Sequence, residues 1–394
     1  MNTTRRTIGL DVHPDLFTAA ILLGSDAATA RIERVFDKLS ISQLESWAKK
    51  HAQPSDDLII EASGNTFHVA ERLKALGFKV VVLESFQTSK LQKSYCVNDK
   101  LSAVQIARAW LSGLAKAVWQ PDTRTRERRE VFAAHRKVVK RTSQMRARIR
   151  AFLNQHGVRV KHSISPKWQE PILHMVPWTP LQEHTLRSYF QELCHAEEQR
   201  KGWHGIIARE VLSDPQLLQL TRLLGVRDLT AFALGAVIGT ITRFSGPKKL
   251  VAYAGLNPSW EQSGNSSRDG GLTGHGRGDL RAMLVQGAQA ILRGHTHPFS
   301  RWGRKLALRR GIKVAVIAVA RKLLVAVWYL LNGKYCALEE IKPNLSLKLR
   351  TIAKATPLHE ALSPAETRAL LAFISKRLLS VLPTPACSQP PAAV

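Results

Sequence analysis

The order of the first predicted elements constrains the fold of this chain most strongly. Apolar and alternating runs predict three consecutive strands near the amino terminus. A helix, a strand, a helix, a strand and a helix are predicted to follow. The strands are predicted at residues 7–12, 16–23, 30–36, 57–60 and 79–83, and the helices at 42–51, 67–76 and 102–110. This alternation predicts an α/β domain with one mixed sheet.

Acidic residues follow this pattern at three places. Asp11 ends the first strand, Glu61 directly follows the fourth, and Asp99 precedes the last helix. The element order is that of a ribonuclease-H-like sheet, in which the ends of the first and fourth strands converge on one edge. A single Asp at a strand end is usually a turn or cap residue. Three carboxylates in this order instead predict a Mg²⁺ site, since Mg²⁺ prefers oxygen ligands.

A glycine-rich stretch occupies residues 253–278, between helices predicted at 248–254 and 279–292. It is rich in serine and threonine, and Ser263-Gly264 places a hydroxyl beside a residue that lets the backbone approach a ligand. A loop this long inside a domain is either functional or a surface linker. Both interpretations remain open from composition alone.

The charge of the chain indicates a polyanionic partner. Lys and Arg number 58 against 30 Asp and Glu, a net charge of +28, and the sequence pI is about 10.5. Nucleic acid is the simplest such partner. Four scattered cysteines predict neither a disulfide framework nor a zinc site. The amino terminus lacks a signal-peptide core, and the apolar run at 314–331 contains Arg321-Lys322. A soluble cytoplasmic protein with no membrane contact is therefore expected.

A basic helical arm is predicted at residues 120–160. From residue 123 it contains twelve Arg or Lys and two Glu. Such an excess indicates phosphate contacts, which set affinity without reading sequence, although a charged helix is more often only solvated. The predicted nucleic-acid contacts are Arg124, Arg128, Arg129, Lys137, Lys140 and Arg141 in the arm, with Arg277 and Arg281 after the glycine-rich stretch.

Two groups of motifs resemble the insertion-sequence transposases of family "one-ten". IGLDVH, IIEASGNTFHVAERLKALGFKVVVL and the Asp99 segment are similar to the three acidic blocks of that family. RFSGPKKLVAYAGLNPSWEQSG and GLTGHGRGDLR are similar to its carboxyl-terminal domain. The matching positions there are Phe244, Leu250, residues 252–256, Pro258, Ser263-Gly264, Leu272-Thr273, Gly276 and Leu280-Arg281.

This resemblance implies roles for individual residues. The recombining serine of the family is the one in the serine-glycine pair, here Ser263, whereas Ser259, Ser266 and Ser267 match no position in the pattern. Asp11, Glu61 and Asp99 are implied as catalytic metal ligands. The third acidic block of the family reads D-x-x-D, and this chain has Ser102 at its second position. The fourth carboxylate is therefore missing, and Ser102 is alternatively a helix cap.

The resemblance also implies an architecture and partners. A RuvC-like domain, a helical linker also used for subunit association and a mainly helical serine domain are expected, with subunits forming dimers that pair into tetramers. Donor and target DNA and an element-encoded guide RNA, the bridge RNA, are the implied partners, at the nucleoid. The predicted boundaries are 1–118 for the carboxylate domain, 119–215 for the arm, 216–340 for the serine domain and 341–394 for a tail with a disordered end.

The function that these features predict is DNA recombination through a covalent serine–DNA intermediate, assisted by Mg²⁺. Two other classes remain open. One is a metal-dependent nuclease or junction resolvase in which the serine stretch only binds DNA. The other is a catalytically decayed nucleic-acid-binding relative, which the missing carboxylate suggests. Within the recombinase class, a site-specific DNA invertase has the same expected sequence features.

Overall fold

The structure is a computed structural model that describes residues 5–85, 98–263, 266–272, 275–294, 297–334, 338, 342–356 and 363–380. The chain divides into two compact units, residues 1–121 and 122–394. The first boundary lies three residues from the predicted end of the carboxylate domain. The predicted arm and serine domain belong together to the second unit.

The first unit is built on a five-stranded mixed sheet. Its strands are β1 (Arg6–Val12), β2 (Leu16–Leu23), β3 (Arg31–Ser40), β4 (Asp57–Glu61) and β5 (Lys79–Leu83). Their order across the sheet is β3-β2-β1-β4-β5. β1, β2 and β3 are antiparallel neighbours, while β4 runs parallel to both β1 and β5. The predicted mixed sheet is confirmed.

Helices cover both faces of this sheet. α1 (Leu44–His51) and α2 (Thr66–Ala75) pack on the face that carries Ile8, Leu10, Leu58 and Ile60. α3 (Asp99–Leu111) packs on the opposite face, where Ile106 contacts Ile59. Gly9 allows this packing, because a Cβ there would lie 2.0 Å from the Ala103 carbonyl oxygen of α3.

The second unit is mainly helical. Its helices are α4 (Thr123–Gln155), α5 (Gln169–Leu173), α6 (Pro180–Ser213), α7 (Pro215–Leu220), α8 (Asp228–Ile238), α9 (Pro247–Tyr253), α10 (Gly278–Gly294), α11 (Pro298–Arg310), α12 (Ile312–Leu331), α13 (Lys342–Lys354) and α14 (Pro364–Ser380). Side-chain caps begin several of them. Asp122 accepts from the Thr125 N–H at α4, and Thr179 and Gln182 form a capping box at α6.

The main core of the second unit joins the arm to the carboxyl-terminal helices. Phe132 of α4 lies in one apolar cluster with Phe232 of α8, Leu284 of α10 and Leu323 of α12. This shared core explains why the arm does not form a unit of its own. α12 is long and apolar enough to cross a membrane by length and composition, but half of its most apolar window is buried. It packs as a core helix, as predicted for this run.

The glycine-rich stretch differs from the predicted irregular loop. β6 (Pro258–Ser263) and β7 (Ser266–Leu272) pair as an antiparallel ribbon, and Trp260 lies opposite Asp269. We call these two strands the serine hairpin. The pairing gives hydrogen-bond partners to backbone groups that an irregular loop of the same length would leave without strand partners. The two strands were not predicted because their sequences are rich in serine and glycine, and neither residue has a strong strand preference.

Candidate metal centre and serine hairpin

Two neighbouring strands carry the first two predicted carboxylates at their ends. β1 and β4 are parallel, and Leu10 pairs with Ile60 in the last register pair between them. The next residue on each strand is acidic, Asp11 and Glu61. Because parallel strands end at the same edge, these two residues lie side by side at the edge of the sheet.

The first turn of α3 supplies the third carboxylate. Asn98 caps this helix, accepting a hydrogen bond from the Leu101 N–H at 2.8 Å, and Asp99 is the first helical residue. Ser102 is therefore not the cap, and that alternative is wrong. Its hydroxyl is hydrogen-bonded instead to the carboxylate of Asp11. Ser102, which occupies the position of the family's fourth carboxylate, thus contacts the first carboxylate of the site.

His13 belongs to the same cluster and was missed by the sequence analysis. Its Nε2 lies 3.9 Å from Asp11 Oδ1 and 3.9 Å from Asp99 Oδ1. The signal was present in IGLDVH, since a residue two positions after Asp11 continues the same side of an extended chain. Asn65 Nδ2 donates to the His13 carbonyl oxygen at 3.0 Å, which fixes the turn that follows β1.

The pKa of Asp11 is raised, which indicates that the positive charge nearby does not fully compensate its negative charge. Burial raises the pKa of Asp11 and the charge of Asp99 raises it further, whereas His13 and the Ser102 hydrogen bond lower it. Ligand atoms of Asp11, His13 and Asp99 all lie within 4.8 Å of one another. A pair of carboxylates whose repulsion a cation would relieve fits a divalent ion. Glu61, the other predicted ligand, ends β4 at the same edge of the sheet but is not one of these three residues.

Two tight backbone approaches hold the base of the serine hairpin. Gly255 has φ +66°, and a Cβ there would lie 2.0 Å from the His275 carbonyl oxygen. Gly276 has φ +98°, and a Cβ there would lie 2.5 Å from the Tyr253 carbonyl oxygen. Glycine is required at both positions, which gives a physical reason for the glycine in the AYAGL motif.

Ser263 ends β6 and pairs with Ser266, at the turn end of the hairpin and opposite to this base. Its predicted partner Gly264 lies outside the described residues. The hairpin presents the predicted nucleophile at one end and is anchored to the helical core at the other.

The predicted nucleic-acid contacts fall into two groups. Arg128 pairs with Glu210 at 2.7 Å and with Asp214, and only 12% of its side chain is exposed. Arg124 pairs with the same two carboxylates, and Arg129 donates to the Ala236 and Val237 carbonyl oxygens. Arg281 donates to the Ala254 and Gly255 carbonyl oxygens, and Arg277 pairs with Asp279. Lys137, Lys140 and Arg141 are exposed on α4.

The known proteins that are similar to this chain include several transposases. The family model described as "Transposase IS116/IS110/IS902 family" matches residues 218–301, which include the serine hairpin. The chain is 24% identical over 336 residues to "Transposase for insertion sequence element IS1111A" of Coxiella burnetii, covering 83% of this chain and 90% of that protein. It is 25% identical over 348 residues to "Probable family 20 transposase" of Pseudomonas aeruginosa, covering 85% and 99%.

A further relative is more similar over a shorter stretch. "Putative transposase y4rJ" of Sinorhizobium fredii is 36% identical over 100 residues, which is 24% of this chain and 25% of that protein. The domain match and the nearly full-length relatives point to the same group, the transposases of the IS116/IS110/IS902 family, to which this chain is similar over most of its length.

Proposed function

We propose that this transposase recombines DNA through a covalent intermediate on Ser263. The observation that carries the proposal is the position of Ser263 at the turn end of the serine hairpin, inside the matched transposase domain. The end of a hairpin can approach a DNA backbone, which is too wide to enter a closed pocket. The tight base at Gly255 and Gly276 fixes the direction in which the hairpin extends.

The proposed chemistry is a phosphoryl transfer. The Ser263 oxygen attacks the phosphorus of a DNA phosphodiester, a serine–phosphate bond forms, and the bond to the leaving sugar oxygen breaks. The serine proton passes to a base, and the leaving oxygen takes up a proton. Attack by a sugar hydroxyl of a second DNA end reverses these steps and restores the serine. The phosphodiester energy is conserved, so strand exchange needs no nucleotide cofactor. Serine is a weak nucleophile and requires activation.

The residues that would hold a Mg²⁺ ion are Asp11, Asp99 and Glu61, with His13 beside them. When bound, such an ion stabilises negative charge on phosphate oxygens and increases the acidity of a bound hydroxyl. The strand order β3-β2-β1-β4-β5, with carboxylates at the ends of β1 and β4, supports a RuvC-like assignment for the first unit. Ser102 would orient Asp11 through its hydrogen bond.

The partners in this proposal are donor and target DNA, a guide RNA and further copies of the chain. The net charge of +28 supports binding to nucleic acid of either kind. The guide RNA and the dimer-to-tetramer assembly come from the family resemblance. A soluble protein acting at the nucleoid in the cytoplasm agrees with a DNA substrate.

The test of this proposal is the Ser263→Ala variant in a recombination assay that contains donor and target DNA and the RNA transcribed beside the gene. We expect recombinant product to disappear and the covalent protein–DNA adduct to be absent on denaturing gels. Binding of nucleic acid should be unchanged, because one hydroxyl at a hairpin end contributes little to stability. Ser267→Ala is the matched control and should recombine normally. Wild-type yields from Ser263→Ala would refute the proposal.

A metal-dependent nuclease is the second candidate function. The observation that favours it is that Asp11, His13 and Asp99 already converge within the first unit, without any contribution from the serine hairpin. A nuclease of this kind would cut DNA equally well with Ser263→Ala, would leave no adduct and would lose cleavage with Asp11→Asn. The same assay therefore separates the two functions.

A further inference from the structure

Three arginines surround Tyr253 at the base of the serine hairpin. The Arg243 guanidinium lies over the Tyr253 ring, 4.5 Å from its centroid, and over the Phe244 ring at 4.3 Å. Arg277 donates its backbone N–H to the Tyr253 carbonyl oxygen at 2.9 Å. The side chains of Arg243 and Arg277 are both hydrogen-bonded to the Tyr253 side chain. We call Tyr253 and the arginines around it the arginine cluster.

The third arginine comes from the arm. Arg129 of α4 donates to the Ala236 and Val237 carbonyl oxygens, and Arg243 donates to the Val237 and Ile238 carbonyl oxygens. Both guanidiniums therefore meet at the carboxyl-terminal end of α8. A helix end of this kind carries about half a negative charge, which offsets only part of their positive charge.

Asp279 supplies a carboxylate to the cluster and brings in a fourth arginine. It accepts two hydrogen bonds from Arg277, at 2.6 and 3.0 Å. Burial raises the pKa of Asp279, but the hydrogen bonds and charge of Arg277, with a smaller contribution from the charge of Arg136, bring the pKa below its usual value. Arg136 is exposed on α4, two turns after Arg129. Arg136 thus extends the cluster to the protein surface.

Positive charge exceeds negative charge in the arginine cluster. Burial would raise the pKa of Tyr253, yet the hydrogen bond and charge of Arg243 and the charges of Arg277 and Arg129 bring it below its usual value. The named groups are four guanidiniums, one carboxylate and the partial charge of one helix end. An anion would complete this arrangement, and Arg guanidiniums recognise phosphate oxygens in a fixed geometry. Access is open, since 31% of the Arg277 side chain is exposed.

We propose that the arginine cluster binds one backbone phosphate of the DNA on which the serine hairpin acts. This inference rests on the proposed function, because it assumes that DNA lies along the hairpin. Five residue steps separate Pro258 from Ser263, so the hairpin end is roughly 17 Å from its base. The bound phosphate is therefore several nucleotides away from the one attacked. The cluster anchors the strand and sets the register at which the hairpin reaches it.

The first test uses inorganic phosphate as the probe and the ionisation of Tyr253 as the readout. The chain has five tyrosines, and the absorbance difference at alkaline pH between wild type and Tyr253→Phe isolates Tyr253. At constant ionic strength, phosphate should raise the midpoint of this titration relative to chloride, because a bound anion opposes formation of the phenolate. The same midpoint in phosphate and in chloride would overturn the proposal.

The second test compares the binding of a DNA duplex by two variants that each remove one arginine. Arg136→Gln should lower the salt dependence of binding by about one unit and weaken affinity several-fold at low salt. Arg187→Gln is the charge-matched control, since Arg187 is exposed on α6 and already pairs with Glu170 and Glu183. If both variants lose affinity equally, the effect is one of net charge, and the anchor site is refuted.

A third variant tests the geometry of recognition. Arg243→Lys keeps the charge but removes the planar fork, so it should bind phosphate less tightly than wild type while melting at a similar temperature. All binding measurements are repeated with Ser263→Ala. If Ser263→Ala still recombines DNA, the serine mechanism is refuted, but the phosphate site is not. If Ser263→Ala is inactive and neither the Tyr253 titration nor the binding of Arg136→Gln shows the expected effect, only the phosphate site is refuted.

Discussion

Ser102 is the residue at which this chain departs from the pattern it resembles, and the structure gives the substitution a definite contact. The Ser102 hydroxyl is hydrogen-bonded to Asp11, whose pKa is raised by burial. A hydroxyl can hold the carboxylate in place without adding a negative charge. The site therefore carries less charge repulsion in the absence of metal, and it is also expected to attract a cation less strongly.

The Ser102→Asp variant tests this interpretation at the scale of one residue. The added carboxylate should repel Asp11 and lower the melting temperature in the presence of a chelator. It should also lower the Mg²⁺ concentration needed for half-maximal recombination, because more charged ligands bind the ion more tightly. Ser102→Ala serves as the control and should show neither effect. An identical Mg²⁺ dependence for wild type and Ser102→Asp would mean that Ser102 only orients Asp11.

The cations of the long helix α4 lie in two environments along its length. Its first turns face the protein, where Arg124 and Arg128 pair with Glu210 and Asp214 and Arg129 donates to the end of α8. Further along, Lys137, Lys140 and Arg141 are exposed. Composition alone treats these cations as equivalent, but the second group can reach a polyanion without breaking the contacts that hold the first group.

This difference predicts opposite effects for a triple variant and a single variant of α4. Replacing Lys137, Lys140 and Arg141 by Gln should lower the salt dependence of DNA binding by about three units and leave the urea midpoint unchanged. Replacing Arg128 alone by Gln should destabilise the protein, by about 3 kcal/mol, because two carboxylates lose their buried partner. An unchanged salt dependence in the triple variant would identify α4 as a solvated helix only.

His135 is a buried histidine whose protonation is coupled to folding. It lies on α4, is only 4% exposed, and has a pKa lowered to about 4 by burial, with further lowering from His204 and Arg200. Asp228 at the start of α8, which pairs with His204 at 2.5 Å, opposes this effect. The native state therefore keeps His135 neutral at pH values where an unfolded chain binds a proton.

The pH dependence of stability follows from this pKa. The unfolded chain protonates at about pH 6.5 and the native state at about 4, so stability is lost as the pH falls between these values, by about 3 kcal/mol in total. The urea midpoint of the His135→Gln variant should fall less than that of wild type between pH 7 and 4.5. His68→Gln changes an exposed histidine and should keep the wild-type dependence. Parallel curves for His135→Gln and wild type would contradict the assignment.

The whole molecule separates its two candidate sites between two units, each with its own core. The candidate metal centre needs only residues of the first unit, and the serine hairpin is anchored only in the second. We expect a fragment of residues 1–121 to unfold cooperatively and to bind Mn²⁺ with the affinity of the full chain, measured by calorimetry. Asp11→Asn should abolish binding in both. A fragment that folds but binds no metal would show that the second unit completes the site.

The sequence by itself determined the strands of the mixed sheet, the positions of Asp11 and Glu61 at the ends of β1 and β4, and the buried character of α12, because these depend on local periodicity. Tertiary structure alone decided the other features. The serine hairpin, the contact of Ser102 with Asp11 and the inward-facing arginines of α4 all depend on partners distant in sequence. The same holds for His13 at Asp99 and for Tyr253 among its arginines. The sequence pattern does not identify the partner of a charged group or a hydroxyl, because its interaction energy depends on the groups that the fold places within a few ångströms of it.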